Sequence, residues 1–265
     1  NYRKTSKRGF RTKKEAEEWY ADYKYCKDES LNMSFDRFVQ IYYTDMKSQI
    51  RENTWISKEM IIETKILPYF RDMKVNEIKS KDVLKWQNWV KCQKNKQGNP
   101  YSPTYLRSIN SQLSAIFNFA CNYYNLSSNP CKKVKSMGKK KRTGEIKFWT
   151  TEQYKTFSEA MMEKPISFYA FEMLYWCGIR LGEMLALTPA DFDFDKKTVS
   201  ISKSYQRING RDIITPPKTD SSIRKVLMPD KLCDEMQDCI NSIYGIKNNM
   251  RIFTITKSYL THEME

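Results

Sequence analysis

The stretch CGIRLGE, residues 177–183, follows an apolar run and sets one arginine between two glycines. A second stretch, PKTDSSIR at 217–224, closes a strand-like segment and carries Lys218. An arginine offers a planar fork of donors that can grip two phosphoryl oxygens, and a lysine offers a compact charge that carries a proton. The pair therefore predicts a common phosphate ligand. Taken alone, Arg180 is better explained as a capping arginine beside Glu183, and Lys218 as a solvated turn lysine.

The two stretches resemble the motifs of the tyrosine recombinase family, which includes phage and conjugative-transposon integrases. The family's G-x-R-x-G-E motif matches residues 178–183, and its K-T-x-x-S-x-R setting matches Lys218 to Arg224. A weaker likeness covers nearly the whole chain and is greatest to the integrases of conjugative transposons. The resemblance implies that Arg180 stabilises charge on the scissile phosphate, that Glu183 holds this arginine or supports the fold, and that Lys218 protonates the departing 5′ oxygen.

The resemblance stops before the later motifs of the family. The sequence contains no H-x-L-R-H segment and no matching nucleophilic tyrosine, since Tyr259 and His262 do not fit those positions. Intact relatives would attack DNA with a tyrosine and form a 3′-phosphotyrosyl link without metal, ATP or another cofactor. We therefore expect this chain, as it stands, to be an inactive fragment of such an enzyme. Because it begins at Asn1 inside a strand-like segment, we also expect a fragment at its front.

The composition is strongly basic, with 46 Lys and Arg against 31 Asp and Glu and a net charge of +15. An excess of this size usually faces a polyanion. A membrane surface is disfavoured, because no apolar run approaches the ~20 residues of a spanning helix and no secretory signal is present. The sequence therefore predicts double-stranded DNA as the partner, and the resemblance adds other integrase protomers on that DNA. The alternatives are a non-catalytic DNA-binding or regulatory fragment and a basic RNA-associated protein.

The cysteines indicate the compartment. There are seven of them, an odd number, with no C-x-x-C pair, and most lie in apolar helical patterns. This usage is typical of reduced thiols in a cytosolic protein. We expect a cytoplasmic, bacterial location.

The chain is predicted to be mainly α within an α+β class. A capping box from Thr12 to Glu15 opens a helix over 13–25, and residues 1–28 resemble the end of an arm-binding domain. Residues 31–131 predict a helical bundle, matching the core-binding (SAM-like) domain of the family. In it one helix ends near Pro68, Ser80 caps the next, and Ser102 with a following proline opens a long one.

A basic segment, residues 132–147, follows this bundle and reads as an interdomain linker. Eight Lys or Arg and one Glu leave a net charge of +7 in 16 residues. Charge this dense stays solvated or meets phosphates, so we expect a flexible strap along the DNA backbone. The predicted DNA-binding residues are Lys132, Lys133, Lys135, Lys139, Lys140, Lys141 and Arg142, together with Arg224.

Residues 148–265 predict the front part of a mixed α+β catalytic domain. A buried helix over 166–177, then Arg180 followed by a short helix through Leu187, precede a three-stranded sheet. Its strands are predicted at 198–202, 211–215 and 223–228, with Asn209-Gly210 as a hairpin turn. Lys218 then lies in the loop between the second and third strands, on a mobile tip. A further helix is predicted from Lys231 to Ile246.

Overall fold

The chain divides into two compact units, Asn1–Thr143 and Gly144–Glu265, and each has its own apolar core. The computed structural model describes residues 10, 12–15, 17, 31–138, 148–217 and 219–264. Over this part the chain is mainly helical with a small three-stranded sheet, which confirms the predicted α+β, mainly α class. The domain limits 1–28, 31–131, 132–147 and 148–265 stay a prediction.

The amino-terminal unit is a bundle of helices packed through their apolar faces. Its long last helix begins as expected, because Ser102 Oγ accepts the amide of Tyr105 (3.2 Å) and proline occupies the first helical position. Large aromatic side chains fill the centre of the bundle, where the Phe35 ring lies tilted against the rings of both Phe70 and Phe117. The helices are α1 (Phe35–Lys47), α2 (Glu52–Ile61), α3 (Leu67–Phe70), α4 (Ser80–Cys92) and α5 (Pro103–Tyr123).

Two helix ends in this unit refine the prediction. The helical path runs through a π-helical turn at Ile62–Ile66, which widens the backbone just before the proline, and it ends just beyond Pro68, at Phe70. Ser80 does not cap α4. Lys79 takes that place, with its amide donated to Asp82 Oδ2 (2.9 Å), because the Ser80 hydroxyl donates instead to the Pro130 carbonyl (2.9 Å).

The described start of the basic segment is held on the helical bundle. Met137 is only 3% exposed and belongs to the core. Gln87 Nε2 donates to the Lys135 carbonyl (3.0 Å), and Arg107 donates to the carbonyl of Gly138. Gly138 has φ +69°, and a Cβ there would lie 1.9 Å from the Pro103 carbonyl oxygen. The expectation of a flexible strap is therefore wrong for residues 132–138, although the side chains of their three lysines are exposed as expected.

This anchoring predicts protection from trypsin. We expect the bonds after Lys132, Lys133 and Lys135 to be cut more slowly than those after Lys94 and Lys96, because cleavage requires local opening of the backbone. A time course of peptides by mass spectrometry would measure both sets of rates. The Met137→Ser variant should speed cleavage in the first set alone. Equal rates for the two sets in the unaltered chain would contradict the anchoring.

The carboxy-terminal unit combines helices with two separate β structures. One is an antiparallel sheet of three strands, in which the middle strand, Thr198–Ile201, pairs with Phe192–Asp193 and with Arg224–Leu227, and the other is a separate hairpin of two strands. The elements are α6 (Thr151–Met161), α7 (Pro165–Cys177), α8 (Leu181–Met184), β1 (Phe192–Asp193), β2 (Thr198–Ile201), β3 (Ser204–Ile208), β4 (Arg211–Thr215), β5 (Arg224–Leu227), α9 (Asp230–Ser242) and α10 (Lys257–Glu263).

The three strands of the sheet are not the three that the sequence predicts. The segment 211–215 does not pair with 198–202, and β1 takes the third place in the sheet. The chain leaves the sheet after β2, where Lys203 Nζ bonds Asp191 Oδ2 (2.7 Å) and Thr188 Oγ1 (2.9 Å). This contact lies at the break between β2 and β3, and β3 then pairs with β4 in the hairpin.

The hairpin tip is at Asn209-Gly210, whose φ angles of +49° and +78° suit the predicted two-residue turn. The connection that carries Lys218 therefore leaves the base of this hairpin, after Thr215 pairs with Ser204. This connection leads from β4 to β5, the two strands between which the sequence predicts Lys218 to lie. Lys218 itself lies outside the described residues, so its position at a mobile tip stays a prediction.

Two helices in this unit are shorter than predicted. The helix that follows Arg180 ends at Met184 rather than Leu187. The later helix ends at Ser242 rather than Ile246, because Ile243 is extended and Gly245 takes φ +69°. Among the described residues of either unit, no helix has the length and apolar character needed to cross a bilayer.

Candidate active site

A rigid turn presents Arg180. The buried helix α7 ends at Cys177, and Gly178 closes it in the left-handed conformation (φ +58°) that favours glycine. Ile179 then inserts into the core. Arg180 caps the start of α8 with an extended backbone, and its side chain is 74% exposed. The backbone of this residue is thus fixed while its guanidinium faces solvent.

Glu183 accepts hydrogen bonds from Arg180 and, in the structure, also from a second arginine. The Glu183 side chain is only 5% exposed and accepts the Arg180 amide (3.0 Å) and Arg180 Nη1 (2.9 Å). Arg224, at the start of β5, donates Nη2 to Oε2 (2.9 Å) and Nη1 to Oε1 (3.4 Å). One buried carboxylate is therefore shared by two guanidinium groups, which leaves a net positive charge at the surface.

These contacts keep Glu183 ionised. Burial opposes its charge, but the hydrogen bonds from Arg224 and Arg180 and the charge of Arg224 outweigh burial and lower the pKa of Glu183 to about 2. The cluster therefore persists throughout the physiological range of pH.

The lowered pKa predicts a stability difference with a defined sign. The ionised form of Glu183 stabilises the fold above its ordinary pKa of 4.5, and this contribution is lost as the pH falls toward about 2. Its full size is ~3 kcal/mol at ~1.4 kcal/mol per pKa unit. We expect the unfolding free energies of the unaltered chain and its Glu183→Gln variant, measured by urea titration, to converge between pH 5 and 2. A constant difference would contradict this.

The hairpin β3–β4 packs directly against the turn that presents Arg180. A Cβ on Gly182 would lie 2.7 Å from Ser204 Oγ and 3.0 Å from the Tyr205 carbonyl oxygen. A side chain at this position would require the Ser204 hydroxyl to turn away and the Tyr205 backbone to move by a few tenths of an ångström. The second glycine of the G-x-R-x-G-E motif therefore suits a close backbone approach.

Arg251 also holds the same hairpin through hydrogen bonds and a ring contact. Its guanidinium donates to the Leu185 carbonyl (3.1 Å) and to Asp212 Oδ2 on β4 (3.0 Å). It also lies 3.9 Å from the ring centre of Tyr205, whose hydroxyl donates to Asp212 Oδ1 (2.8 Å). Arg251 thus joins the end of α8 to both strands. Sequence analysis missed this residue, because no local pattern marks a contact between positions so far apart in the chain.

We expect Arg251→Met to loosen the hairpin. Arg251 is 14% exposed, and hydrogen bonds to charged groups contribute about 1.5–3 kcal/mol. Hydrogen exchange should therefore accelerate for the amides of β3 and β4 and change little in β1, β2 and β5. Arg207→Met is the matched control, since Arg207 is exposed and meets the same Asp212 at 3.7 Å, and an exposed pair contributes only about 0–1 kcal/mol. Equal effects of the two variants would argue against the fastening.

The other predicted site residues are placed as follows. Lys218 lies outside the described residues, between Pro217 and Thr219. The exposed side chains of Lys132, Lys133 and Lys135 belong to the amino-terminal unit, whereas Lys139, Lys140, Lys141 and Arg142 lie outside the described part. Within the described ranges no three His, Cys, Asp or Glu side chains are grouped as metal ligands would be.

Tyr259 and His262, the two residues that do not fit the later motifs of the family, lie on α10. Tyr259 packs near α7, where its hydroxyl accepts a hydrogen bond from Ser167 Oγ (3.4 Å).

Comparison with known proteins gives concordant results. Residues 34–90 match the family model described as phage integrase, N-terminal SAM-like domain. The chain is 28% identical over 204 residues to the ICEBs1 integrase of Bacillus subtilis, covering 77% of this chain and 53% of that protein. It is 28% identical over 179 residues to a XerC-like tyrosine recombinase of Caldanaerobacter subterraneus, covering 63% and 44%. The chain thus spans about half the length of these curated relatives.

Solved structures show the same fold. The Tn1549 transposon integrase in complex with a circular intermediate DNA matches with a TM-score of 0.66 at 21% identity, over 83% of this chain and 69% of that one. A lambda integrase dimer bound to a core site matches with a TM-score of 0.62 at 15% identity, over 93% and 65%. The predicted SAM-like domain and recombinase catalytic fold are confirmed. The sequence matches and the shared fold both support the predicted resemblance to tyrosine recombinases of the conjugative-transposon integrase type.

Proposed function

We propose that the chain is part of a site-specific DNA recombinase, an integrase that breaks and rejoins DNA strands through a 3′-phosphotyrosyl intermediate. The observation that carries this is Arg180, an exposed guanidinium fixed on a buried carboxylate within the family's motif. Charge that develops on a phosphate during transfer is stabilised best by donors already in place. Arg180 supplies such a donor, Glu183 keeps it oriented, and Lys218 acts as the general acid for the 5′ oxygen.

We further propose double-stranded DNA as the partner of the chain itself. The net charge of +15 and the exposed lysines at 132, 133 and 135 provide contacts for phosphates. Relatives of the same fold were solved on DNA, including a lambda integrase tetramer bound to a Holliday junction. By this likeness, several protomers would assemble on one DNA, in the bacterial cytoplasm. Catalysis is proposed for the whole protein, because the chain spans about half of its curated relatives.

Binding to duplex DNA should depend steeply on salt. Each phosphate neutralised contributes about −0.9 to the slope of log K against log salt. Fluorescence anisotropy with a labelled duplex between 50 and 200 mM salt, roughly the range over which such contacts weaken strongly, would measure this slope. The triple variant of Lys132, Lys133 and Lys135 to Gln should reduce it by as much as ~2.7. Salt-independent binding, or none, would contradict the proposed partner.

Cleavage is tested in the protein of full natural length with a nicked suicide substrate that traps the covalent adduct. We expect Arg180→Ala to slow adduct formation by about 10²–10³, the usual cost of one preorganised donor. The control is Lys231→Ala, which removes an exposed charge on α9 and should leave the rate unchanged. Full activity of Arg180→Ala would exclude the recombinase assignment of this site.

A further inference from the structure

Arg224 resembles a DNA-contacting residue in the sequence, but its contacts in the structure are internal. We propose that Arg224 is a positioning residue that acts through Glu183 to free the guanidinium of Arg180 for the phosphate. This inference rests on the proposed function and gives Arg224 a role in catalysis instead of in DNA affinity.

The guanidinium donors of Arg224 are already engaged within the protein. Both of its Nη groups reach Glu183, and Nη1 also donates to the Ser222 carbonyl (3.2 Å). Its side chain is 32% exposed, compared with 74% for Arg180. A guanidinium committed in this way has little capacity left for a phosphate. Of the two arginines, Arg180 is the one presented to a ligand.

Loss of Arg224 would change the hydrogen bonding of the Glu183 carboxylate. A buried carboxylate needs its charge compensated, and Arg180 would then be the remaining cation bonded to it. The Glu183 carboxylate would draw the Arg180 guanidinium into a two-pronged pair of the kind that arginine and carboxylate favour. In the described structure Arg180 instead gives Glu183 one side-chain bond, from Nη1. Arg224 thus satisfies the carboxylate and leaves the outer edge of Arg180 available.

The sheet fixes the backbone position of Arg224. Arg224 pairs with Ile201 of β2, and Ile201 is buried in the core of this unit. The backbone of Arg224 is therefore held in place when a phosphate binds. Its side chain reaches Glu183 across 41 positions of sequence from a fixed strand. A positioning group benefits from such rigidity, because a displacement of about 1 Å at a reacting centre can cost ~10² in rate.

The test uses the protein of full natural length and the variants Arg224→Gln and Arg224→Lys. At saturating DNA, we expect Arg224→Gln to slow adduct formation by about 10²-fold. The salt slope of DNA binding should not change. Arg224→Lys should restore part of the rate, because an ammonium still compensates Glu183. The control Lys225→Gln removes one exposed charge from the same strand and should leave the cleavage rate intact.

A double variant separates positioning from general damage. In an Arg180→Ala background, Arg224→Gln should cause no further loss, because residues that act through one another are not additive. Independent, multiplicative losses would overturn the proposal. So would a fall of about 0.9 in the salt slope on Arg224→Gln, since that is the loss of one phosphate contact.

A second readout is independent of cleavage. Rotation of the Arg180 guanidinium can be followed by nitrogen NMR in the 265-residue chain, with and without Arg224. Slower rotation in Arg224→Gln would show the two-pronged capture of Arg180 by Glu183, and unchanged rotation would overturn the inference. If the unaltered protein forms no adduct, the proposed function fails, and this measurement still decides whether Arg224 controls Arg180.

Discussion

The buried Glu183 carboxylate is the constraint on which the site depends. It is 5% exposed and binds two guanidinium groups together with the backbone amide of Arg180. A buried carboxylate with a single partner would be costly, and one without a partner would be more so. The arrangement therefore requires α8 and β5 to be in place together, because each supplies one of the arginines. Local turn, sheet register and surface charge are coupled through one side chain.

The packing around the carboxylate is arranged to keep that turn in place. Gly182 lets β3 approach α8 to contact distance, and Arg251 ties the end of α8 to β4. Lys203, bonded to Asp191 and Thr188, fixes the point where the chain leaves the sheet for the hairpin. The first two contacts join the hairpin to this turn, and the third anchors the chain just before β3 begins. The exposed arginine therefore projects from an element with little freedom to shift.

Sequence patterns predicted the local half of this structure and missed the long-range half. The spacing of Arg180 and Glu183 within one helical turn is enough to predict their contact, and Ser102 with its following proline is enough to predict a helix start. The partner of Arg224 could not be predicted, because it depends on which strands join the sheet. The pairing of β2 with β5 joins segments that are distant in the sequence, and no short pattern encodes such a pairing. The π turn before Pro68 was missed for a related reason, since such a turn depends on packing as well as on local propensity.

The basic segment shows that charge alone does not predict mobility. Its lysines at 132, 133 and 135 are exposed, as electrostatics requires, but Met137 between them and the next charges is buried in the bundle. One apolar side chain and the carbonyl bonds from Gln87 and Arg107 are enough to order the backbone beneath a solvated surface. A phosphate that meets these lysines therefore meets charges on an ordered backbone. Contacts made from an ordered backbone cost less conformational entropy on binding than contacts made from a free strap, so this part of the segment should add affinity as well as charge.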